Sequence, residues 1–379
     1  MSEYKEHEEY EERRRWLMIR KRHKQNKMEN KKLTVMVNGL PGKMATEVAN
    51  KMSAIHNLNL PIGPFSEFNL IAYSLTGPEI KEYCASAGLA VKKEIILIKP
   101  DKREEQIKKM KNNYGNFISV DFTQPDSVNE NADFYCRHEL PFVMGTTGGD
   151  RKALEERVKN SDICAVIAPN MAKQIVAFQS LMENIANVNP GALKGCALEI
   201  VESHQQGKKD TSGTAKAMVS YFNKLGIPFT AEQIEMIRDP AEQREIGIPE
   251  EYLRGHAWHT YEVKVSKENI EASKLNEHII YLKDTLKDFL ENDKVFSDYE
   301  SKSYTRLISP ILERQSKDKT VTFSVTHWPG VYTIFSHRVN GRSIYADGTL
   351  DAIKFLDKKV QAGEKGRVYS MIDVLKEGK

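Results

Sequence analysis

The sequence has no long apolar segment. None of its 379 residues falls in a run that approaches the roughly 18 apolar residues needed to cross a bilayer as a helix. We therefore expect no contact with membranes. Hydrophobic residues make up 40% of the chain and charged residues 29%, which is typical of a globular protein with a sizeable core, and the length suffices for two domains.

Cysteine is scarce, and its spacing matches no disulfide or metal framework. The four cysteines are Cys84, Cys136, Cys164 and Cys196. They show neither the short paired spacings of zinc sites nor the density of disulfide-rich proteins. We expect reduced, buried thiols, as is usual in a cytosolic compartment.

A metal-ligand pattern is also missing. His256, His259 and His327 lie in segments with the alternating pattern of strands, but no Cys or carboxylate accompanies them at the spacing of a metal site. Histidine on a strand face is the ordinary explanation. We therefore expect no bound metal.

Excess charge of one sign is confined to the N-terminus. Residues 1–32 contain eleven Lys or Arg and seven Asp or Glu, and the rest of the chain is close to neutral. A neutral globular part argues against a nucleic-acid partner. Residues 1–31 form a charged extension whose acidic residues argue against an organelle transit peptide and whose charge density argues against a secretory signal, so we expect a cytoplasmic protein.

A glycine turn follows the first apolar run. Residues 32–38 have the pattern of a strand, Gly39 and Gly42 come next, and a helix is expected over residues 45–55. Gly39 would make the tight turn and Gly42 would let a pyrophosphate approach the helix N-terminus, beside Lys43 and Met44. This pattern predicts a dinucleotide site.

The next predicted strand, residues 68–74, bears on the choice of dinucleotide. An acidic residue at its end would accept the ribose hydroxyls and repel a 2′-phosphate. The chain continues Ser74-Leu-Thr76-Gly77 without one. This favours NADPH, or use of both NADPH and NADH.

Three further apolar runs end in small or hydroxylated residues. Open α/β sheets bind ligands at the carboxyl ends of their strands. Turn chemistry alone could explain any one of these endings. The candidate cofactor-binding residues are Asp121, Phe122, Thr123, Gly145, Thr146, Thr147, Gly148, Ala168, Pro169 and Asn170.

The stretch from Glu199 to Met218 carries the chemistry of a second site. A strand leads into a polar loop with His204 and Lys208, and then into Ser212-Gly213-Thr214 at the start of a helix. An imidazole and an ammonium four positions apart can supply protons and positive charge, and free N–H groups at the helix start can hold a carboxylate or phosphate. A solvated loop with an ordinary helix cap is the alternative.

Glu202-Ser-His204-Gln-Gln-Gly-Lys208-Lys-Asp-Thr-Ser-Gly-Thr-Ala215 resembles the signature of the dihydrodipicolinate reductase (4-hydroxy-tetrahydrodipicolinate reductase) family. The glycine turn and the Asp-Phe-Thr, Gly-Thr-Thr-Gly and Ala-Pro-Asn turns resemble it too. Gln205 stands where the commonest bacterial form has a second His, and the segment before Ser212 is one residue shorter. Both departures resemble the plant-type branch. The resemblance covers residues 32–265 and 320–379.

The resemblance implies an NAD(P)H-dependent reductase of the cyclic imine dicarboxylate of lysine biosynthesis. The expected catalytic residues are His204 and Lys208, and the nicotinamide is expected against the Gly-Thr-Thr-Gly and Ala-Pro-Asn turns. The resemblance also implies a homotetramer, and a plastid location if the source is a plant or alga. The expected substrate-binding residues are Gln205, Ser212, Gly213 and Thr214.

The expected fold class is α/β. A Rossmann-like dinucleotide-binding domain would span residues 32–170 and 343–379. An α+β substrate and oligomerisation domain with an open mixed sheet would span 171–342. Between its strands, residues 271–319 have no counterpart in the family. Apolar residues from Leu275 to Phe289 recur at steps of three and four, and a second helix is expected to end at Leu312, so a helical insertion is predicted.

Two other functions fit part of the pattern. Another two-domain amino-acid dehydrogenase, of the homoserine or aspartate type, would share the glycine turn but not the His204, Lys208 and Ser-Gly-Thr arrangement. A non-catalytic dinucleotide-sensing protein would use the extension and the insertion to hold partners. The presence of both His204 and Lys208 counts against it.

Overall fold

The structure, a computed structural model, describes residues 32–53, 67–88, 92–265, 312–315, 321–328 and 332–377. The charged extension and most of the expected helical insertion lie outside these residues. In the described part, no helix is long and apolar enough to cross a membrane. Cys136 and Cys164 are buried as expected, whereas Cys84 and Cys196 are partly exposed, and all four are free thiols.

The described secondary structure consists of fifteen strands and nine α-helices. The strands are β1 (Leu33–Asn38), β2 (Phe68–Leu70), β3 (Tyr73–Leu75), β4 (Cys84–Ala87), β5 (Lys93–Ile98), β6 (Ile118–Asp121), β7 (Phe142–Met144), β8 (Cys164–Ile167), β9 (Cys196–His204), β10 (Glu235–Ile237), β11 (His256–Val265), β12 (Leu312–Gln315), β13 (Val321–Trp328), β14 (Tyr332–Asn340) and β15 (Arg367–Tyr369). The helices are α1 (Lys43–Met52), α2 (Arg103–Tyr114), α3 (Val128–Arg137), α4 (Arg151–Lys159), α5 (Lys173–Val188), α6 (Gly213–Lys224), α7 (Pro240–Glu245), α8 (Ser343–Gln361) and α9 (Met371–Glu377). Short 3-10 turns lie at Pro100–Lys102, Pro125–Ser127, Ala231–Gln233 and Glu250–Tyr252.

The first sheet is parallel throughout, with the strand order β15-β8-β7-β6-β1-β2. The chain builds outward from β1 in one direction and then, from β6 on, in the other. Parallel neighbours joined by crossover helices give the doubly wound, Rossmann-like arrangement. The reversal of direction at β1 and β6 creates the crevice where such sheets bind ligands. The expected α/β fold is confirmed.

Helices cover both faces of this sheet because successive side chains of its strands point to opposite sides. In β1, Val35 and Val37 pack with α1 and α8, whereas Met36 packs on the opposite side with the cluster that includes α2, α3 and α4. A strand buried on both faces reads as a continuous apolar run, which explains why β1, β6, β7 and β8 were visible in the sequence.

The expected strand over residues 68–74 is in fact two strands. It breaks at Ile71 and Ala72, so that β2 joins the first sheet and β3 joins a small separate sheet with the order β3-β5-β4. The strands β4 and β5 were not predicted. A continuous apolar run carries no signal for such a change of sheet, because both strands need buried side chains.

The second six-stranded sheet is mixed, with the order β10-β9-β11-β14-β13-β12. β9 and β10 are parallel, and the other neighbours are antiparallel. α5 and α6 pack on one face of it, where Phe178 and Phe222 contact Tyr261 and Phe335. The expected mixed sheet is confirmed. The predicted helical insertion is wrong at its end, because Leu312–Gln315 is the strand β12 paired to β13.

Helix α8 passes so close to the main chain at Met171 that only glycine fits at Gly348. A Cβ at this position would lie 1.7 Å from the carbonyl oxygen of Met171. A main-chain atom cannot move aside as a side chain can, so we expect Gly348→Ala to lower the free energy of unfolding by about 3 kcal/mol. Denaturant unfolding measures the change. Lys358→Ala, on the exposed face of the same helix, is the matched control, and an equal effect of both would contradict the steric argument.

Candidate active site

The turn between β1 and α1 requires glycine at two positions, Gly39 and Gly42. Gly39 has a φ of +100°, and a Cβ there would lie 2.2 Å from the carbonyl oxygen of Phe122. A Cβ on Gly42 would lie 2.6 Å from the carbonyl oxygen of Gly39. Gly39 therefore lets the end of β1 approach the end of β6, at the crevice of the first sheet, and Gly42 lets the turn itself close tightly.

The N-terminus of α1 is open to an anion. Gly42 occupies the N-cap position, and no side chain caps the helix there. The first backbone N–H groups of a helix have no partner within it, so those of Lys43 and Met44 belong to an uncapped turn beside two glycines. These are the features that a dinucleotide pyrophosphate requires, and the residues present fit that group.

The buried carboxylate of Asp121 holds the neighbouring turns together. It accepts hydrogen bonds from Tyr135 Oη at 2.7 Å, Asn131 Nδ2 at 3.0 Å, Thr123 Oγ1 at 2.8 Å and Thr146 Oγ1 at 2.9 Å. Burial, and then the negative charge of Asp121, raise the pKa of Tyr135 well above its ordinary value. The two threonine hydroxyls thus point inward. They fix the shape of the two turns.

The turns after β6, β7 and β8 pack directly on one another. A Cβ on Gly145 would lie 2.2 Å from the Phe122 ring, and one on Gly148 would lie 2.7 Å from Cβ of Pro125. Ala168, at the end of β8, is buried and donates its N–H to the carbonyl of Met144 at 3.0 Å. The predicted cofactor-binding residues of these turns therefore lie along one edge of the sheet.

Loss of the Asp121 charge should disturb this edge. Asp121→Asn keeps the shape but removes one acceptor oxygen, which leaves at least one buried donor unpaired at a cost of about 1–3 kcal/mol. We expect a loss of stability of this size and at least tenfold weaker dinucleotide binding, measured by denaturation and by NADPH fluorescence titration. Asp126→Asn, an exposed neighbour, is the control. Unchanged cofactor affinity in Asp121→Asn would contradict the shaping role.

Asn170 joins the two halves of the candidate site. Its Oδ1 accepts from the N–H of Ala172 at 2.9 Å, which fixes the amide. Its Nδ2 then donates to Thr214 Oγ1 at 3.3 Å. The end of β8 is thereby connected to the start of α6, so the predicted nicotinamide edge and the predicted substrate turn are adjacent.

His204 ends β9 and faces a second histidine. Its Nε2 lies 3.0 Å from Nε2 of His259 on β11. Burial, and then the positive charges of Lys208 and Arg238, lower the pKa of His204 to about 3. Burial likewise lowers the pKa of His259 well below its ordinary value. Both rings are therefore neutral at pH 7.

A buried ion pair positions the loop after His204. Glu202 is fully buried, and its Oε1 lies 2.6 Å from Nη2 of Arg238. The N–H of Ser212 donates to the two Glu202 oxygens at 3.2 and 3.0 Å. Arg238 Nε donates to the carbonyl of Lys208 at 2.9 Å. The ion pair of Glu202 and Arg238 thus holds both the Lys208 loop and the Ser212 turn in place.

The positive charge of the Lys208 ammonium helps to lower the pKa of His204. It donates to the backbone and side-chain oxygens of Asp210 at 2.7 and 2.9 Å. Ser212 caps α6 by accepting from the N–H of Thr214 at 3.2 Å. A Cβ on Gly213 would meet no atom within 4 Å, so the open side of this turn has room for a ligand.

Gln205 has a defined orientation. Its Oε1 accepts from Nη2 of Arg342 at 3.1 Å. A guanidinium only donates, so the amide oxygen must face it and the amide NH₂ faces the other way. Gln205 can thus offer N–H donors to a carboxylate.

Several residues of this network were not predicted. Glu202, Arg238, His259 and Arg342 come from separate elements, and Gln243 of α7 donates to the carbonyl of His204 at 2.7 Å. No spacing along the chain brings them together. The signals in the sequence were that Glu202 belongs to the Glu-Ser-His motif and that His259 lies in a segment with the pattern of a strand.

One sequence expectation needs correction. No carboxylate was expected beside the strand histidines, but Glu202, His204 and His259 place ligand atoms within 4.8 Å of one another. This cluster was missed because the contact between β9 and β11 arises from folding. After β3, Ser74 to Gly77 carries no acidic residue, and the carboxylate of Glu79 lies over Gly77, 2.0 Å from where a Cβ would be. The side chain of His327 lies outside the described residues.

The chain is similar to reductases of one family. The family described as "Dihydrodipicolinate reductase, N-terminus" matches residues 33–171. "4-hydroxy-tetrahydrodipicolinate reductase 2, chloroplastic" from Arabidopsis thaliana is 38% identical over 347 residues, which cover 91% of this chain and 78% of the relative. "Probable 4-hydroxy-tetrahydrodipicolinate reductase 1, chloroplastic" from Oryza sativa subsp. japonica is also 38% identical, over 91% of this chain and 79% of its own.

A solved structure, "Dipicolinate bound Dihydrodipicolinate reductase from Paenisporosarcina sp. TG-14", aligns over 90% of this chain and 98% of its own, with a TM-score of 0.43 and 14% identity. The two plant relatives each align with 91% of the chain, which is sufficient to assign the family. Together with the dinucleotide-binding fold, they show that this chain is an oxidoreductase that belongs to the dihydrodipicolinate reductase (4-hydroxy-tetrahydrodipicolinate reductase) family, in its plant-type branch.

Proposed function

We propose that the chain reduces 4-hydroxy-tetrahydrodipicolinate to tetrahydrodipicolinate with NAD(P)H, in the diaminopimelate route of lysine biosynthesis. The observation that carries this proposal is the hydrogen bond of 3.3 Å between Asn170 and Thr214. It puts an anion-binding turn and its Lys208 loop beside the edge expected to hold the nicotinamide. A hydride donor and a dicarboxylate acceptor can then meet.

The substrate is a dianion, and the site offers it matching groups. The backbone N–H groups at the start of α6 and the Ser212 and Thr214 hydroxyls would hold one carboxylate. The Lys208 ammonium supplies the positive charge. Gln205 would donate its amide N–H to the other carboxylate, as its bond to Arg342 favours.

Proton transfer is assigned mainly to Lys208. The 4-hydroxyl leaves the substrate ring as water, which gives a conjugated imine. When bound, the cofactor would supply a hydride to the conjugated carbon of that imine. Negative charge then develops on the substrate ring, and the Lys208 ammonium stabilises it and donates the proton. His204 has a pKa lowered to about 3 and is a neutral imidazole at pH 7, so we assign it the role of a hydrogen-bonding group that orients substrate and loop.

We propose NADPH as the preferred cofactor, with NADH also accepted. Ser74 to Gly77 carries no acidic residue, which leaves room for a 2′-phosphate. Glu79 over Gly77 offers an acceptor for the ribose hydroxyls of NADH. The ratio of kcat/KM with the two cofactors tests this, and Glu79→Gln should shift the ratio further toward NADPH.

We further propose that residues 32–170 with 343–379 act as the dinucleotide-binding domain, and residues 171–342 as the substrate and oligomerisation domain. A homotetramer joined through the mixed sheet is the expected assembly of this family, and in the described residues α5 and α6 pack on one face of that sheet. Light scattering gives the assembly mass. We place the enzyme in the cytoplasm, with a plastid as the alternative because the plant relatives are named as chloroplastic.

The test is an absorbance assay of reduced nicotinamide, with the substrate generated in situ from pyruvate and aspartate semialdehyde. Turnover with NADPH is the expected result. Turnover of homoserine or aspartate instead would favour another amino-acid dehydrogenase. Cofactor binding without any turnover would favour a dinucleotide-sensing protein.

A further inference from the structure

The side chains of Glu202, His204 and His259 converge on one point. The two Nε2 atoms are 3.0 Å apart, and Glu202 Oε2 lies 3.8 Å from His204 Nε2 and 3.7 Å from His259 Nε2. Two imidazoles and one carboxylate are the donor set of many protein zinc sites.

We propose that Glu202, His204 and His259 bind one divalent transition-metal ion of the zinc class, and that the bound ion inhibits the reductase. Nothing in the proposed reaction uses a metal. The ion would act as a regulator or a poison that takes His204 out of the active site.

The distances fit an ion without rearrangement of the backbone. An ion inside this triangle can lie about 2.0–2.1 Å from all three atoms, which are the usual zinc–nitrogen and zinc–oxygen lengths. The ligands are held by two adjacent antiparallel strands, β9 and β11, in which His259 pairs directly with Glu202. A rigid sheet therefore presets the site.

The groups around the three ligands also suit a metal. Zinc-bound histidines usually engage their other ring nitrogen in a hydrogen bond. His259 Nδ1 lies 3.3 Å from the Tyr261 hydroxyl. Arg238 holds mainly the other oxygen of Glu202, Oε1, at 2.6 Å. His259 and Glu202 are thus each held in place by a second group.

Neighbouring charges set the strength of binding. The positive charge of Arg238 opposes a cation, whereas that of Lys208 is offset by its contact to Asp210 at 2.9 Å. We expect affinity below that of a closed structural zinc site. His204 is the most accessible ligand, with 12% of its side chain exposed against 2% for His259. The ion therefore enters from the His204 side, next to the Lys208 loop.

The experiment uses the full chain without an added His tag, in buffer free of substrate. Zn²⁺ is titrated calorimetrically into wild type, His259→Gln and the matched control His256→Gln. Both histidines are buried on β11, but His256 contacts Ser203 at 2.9 Å and is not one of the three ligands. We expect one Zn²⁺ per chain in wild type and control, and affinity at least about a hundredfold lower in His259→Gln.

A second measurement uses only the wild-type protein, so it does not depend on correct folding of the variant. X-ray absorption of the zinc-loaded wild type should show two imidazole ligands and one carboxylate. Equal Zn²⁺ affinity in wild type and His259→Gln, no binding to wild type, or fewer than two imidazoles would each overturn the site. The binding readout does not depend on turnover, so the site can stand if the proposed function fails. Inhibition rests on the proposed function and should follow the same Zn²⁺ titration.

Discussion

Lys208→Met is expected to lower kcat by about 10²–10⁴-fold, because a positioned general acid contributes a factor of this size. Methionine keeps the aliphatic length and removes only the charge and the proton. The neutral His204 cannot replace the acid, since its pKa of about 3 leaves it unprotonated at pH 7. KM for the substrate should also rise, because one cation facing the dicarboxylate is lost.

The nicotinamide absorbance assay measures this change. NADPH affinity and thermal unfolding should stay near wild-type values, which separates a catalytic defect from a folding defect. Lys216→Met, an exposed lysine on α6, is the control and should retain wild-type kcat. A kcat for Lys208→Met within threefold of wild type would remove Lys208 from the mechanism.

Glu202→Gln is expected to have the second large effect. Glu202 is fully buried and paired with Arg238 at 2.6 Å. Breaking a buried pair leaves one charge uncompensated, at a cost of about 3–5 kcal/mol. The Ser212 N–H would also lose one of its two acceptor oxygens, so the substrate turn and the Lys208 loop should loosen and kcat/KM should fall together with stability.

Urea denaturation measures the stability change, and Glu199→Gln is its matched control. Glu199 lies on the same strand, but its ion pair with Lys264 is exposed, so its loss should cost less than about 1 kcal/mol. The double variant Glu202→Gln with Arg238→Met should regain stability but not activity. If it regains both, the pair contributes to folding and does not position the site.

The sequence determined the parts of the fold that depend on local patterns. The predicted order of strand, glycine turn and helix at Gly39 was confirmed. Glycine is a reliable signal there because the close approach to the main chain of Phe122 admits no other residue. β11 and β13 were visible from the alternation of apolar and polar residues along the chain. The break between β2 and β3 was not visible, because both strands bury apolar residues and only pairing partners distinguish them.

The sequence alone thus determined the family and the chemical groups. Its motifs hold His204, Lys208 and the Ser212 turn on one short stretch of chain, and adjacency in sequence guarantees proximity. Only the tertiary structure decided which distant residues these groups contact and which of them are protonated. The pairing of β9 with β11 brings His259 to His204, and β10 carries the chain to Arg238 beside Glu202. Burial then makes both histidines neutral. The sequence alone could not specify this, because protonation, ion pairing and metal-binding geometry depend on neighbours that are far apart in the chain.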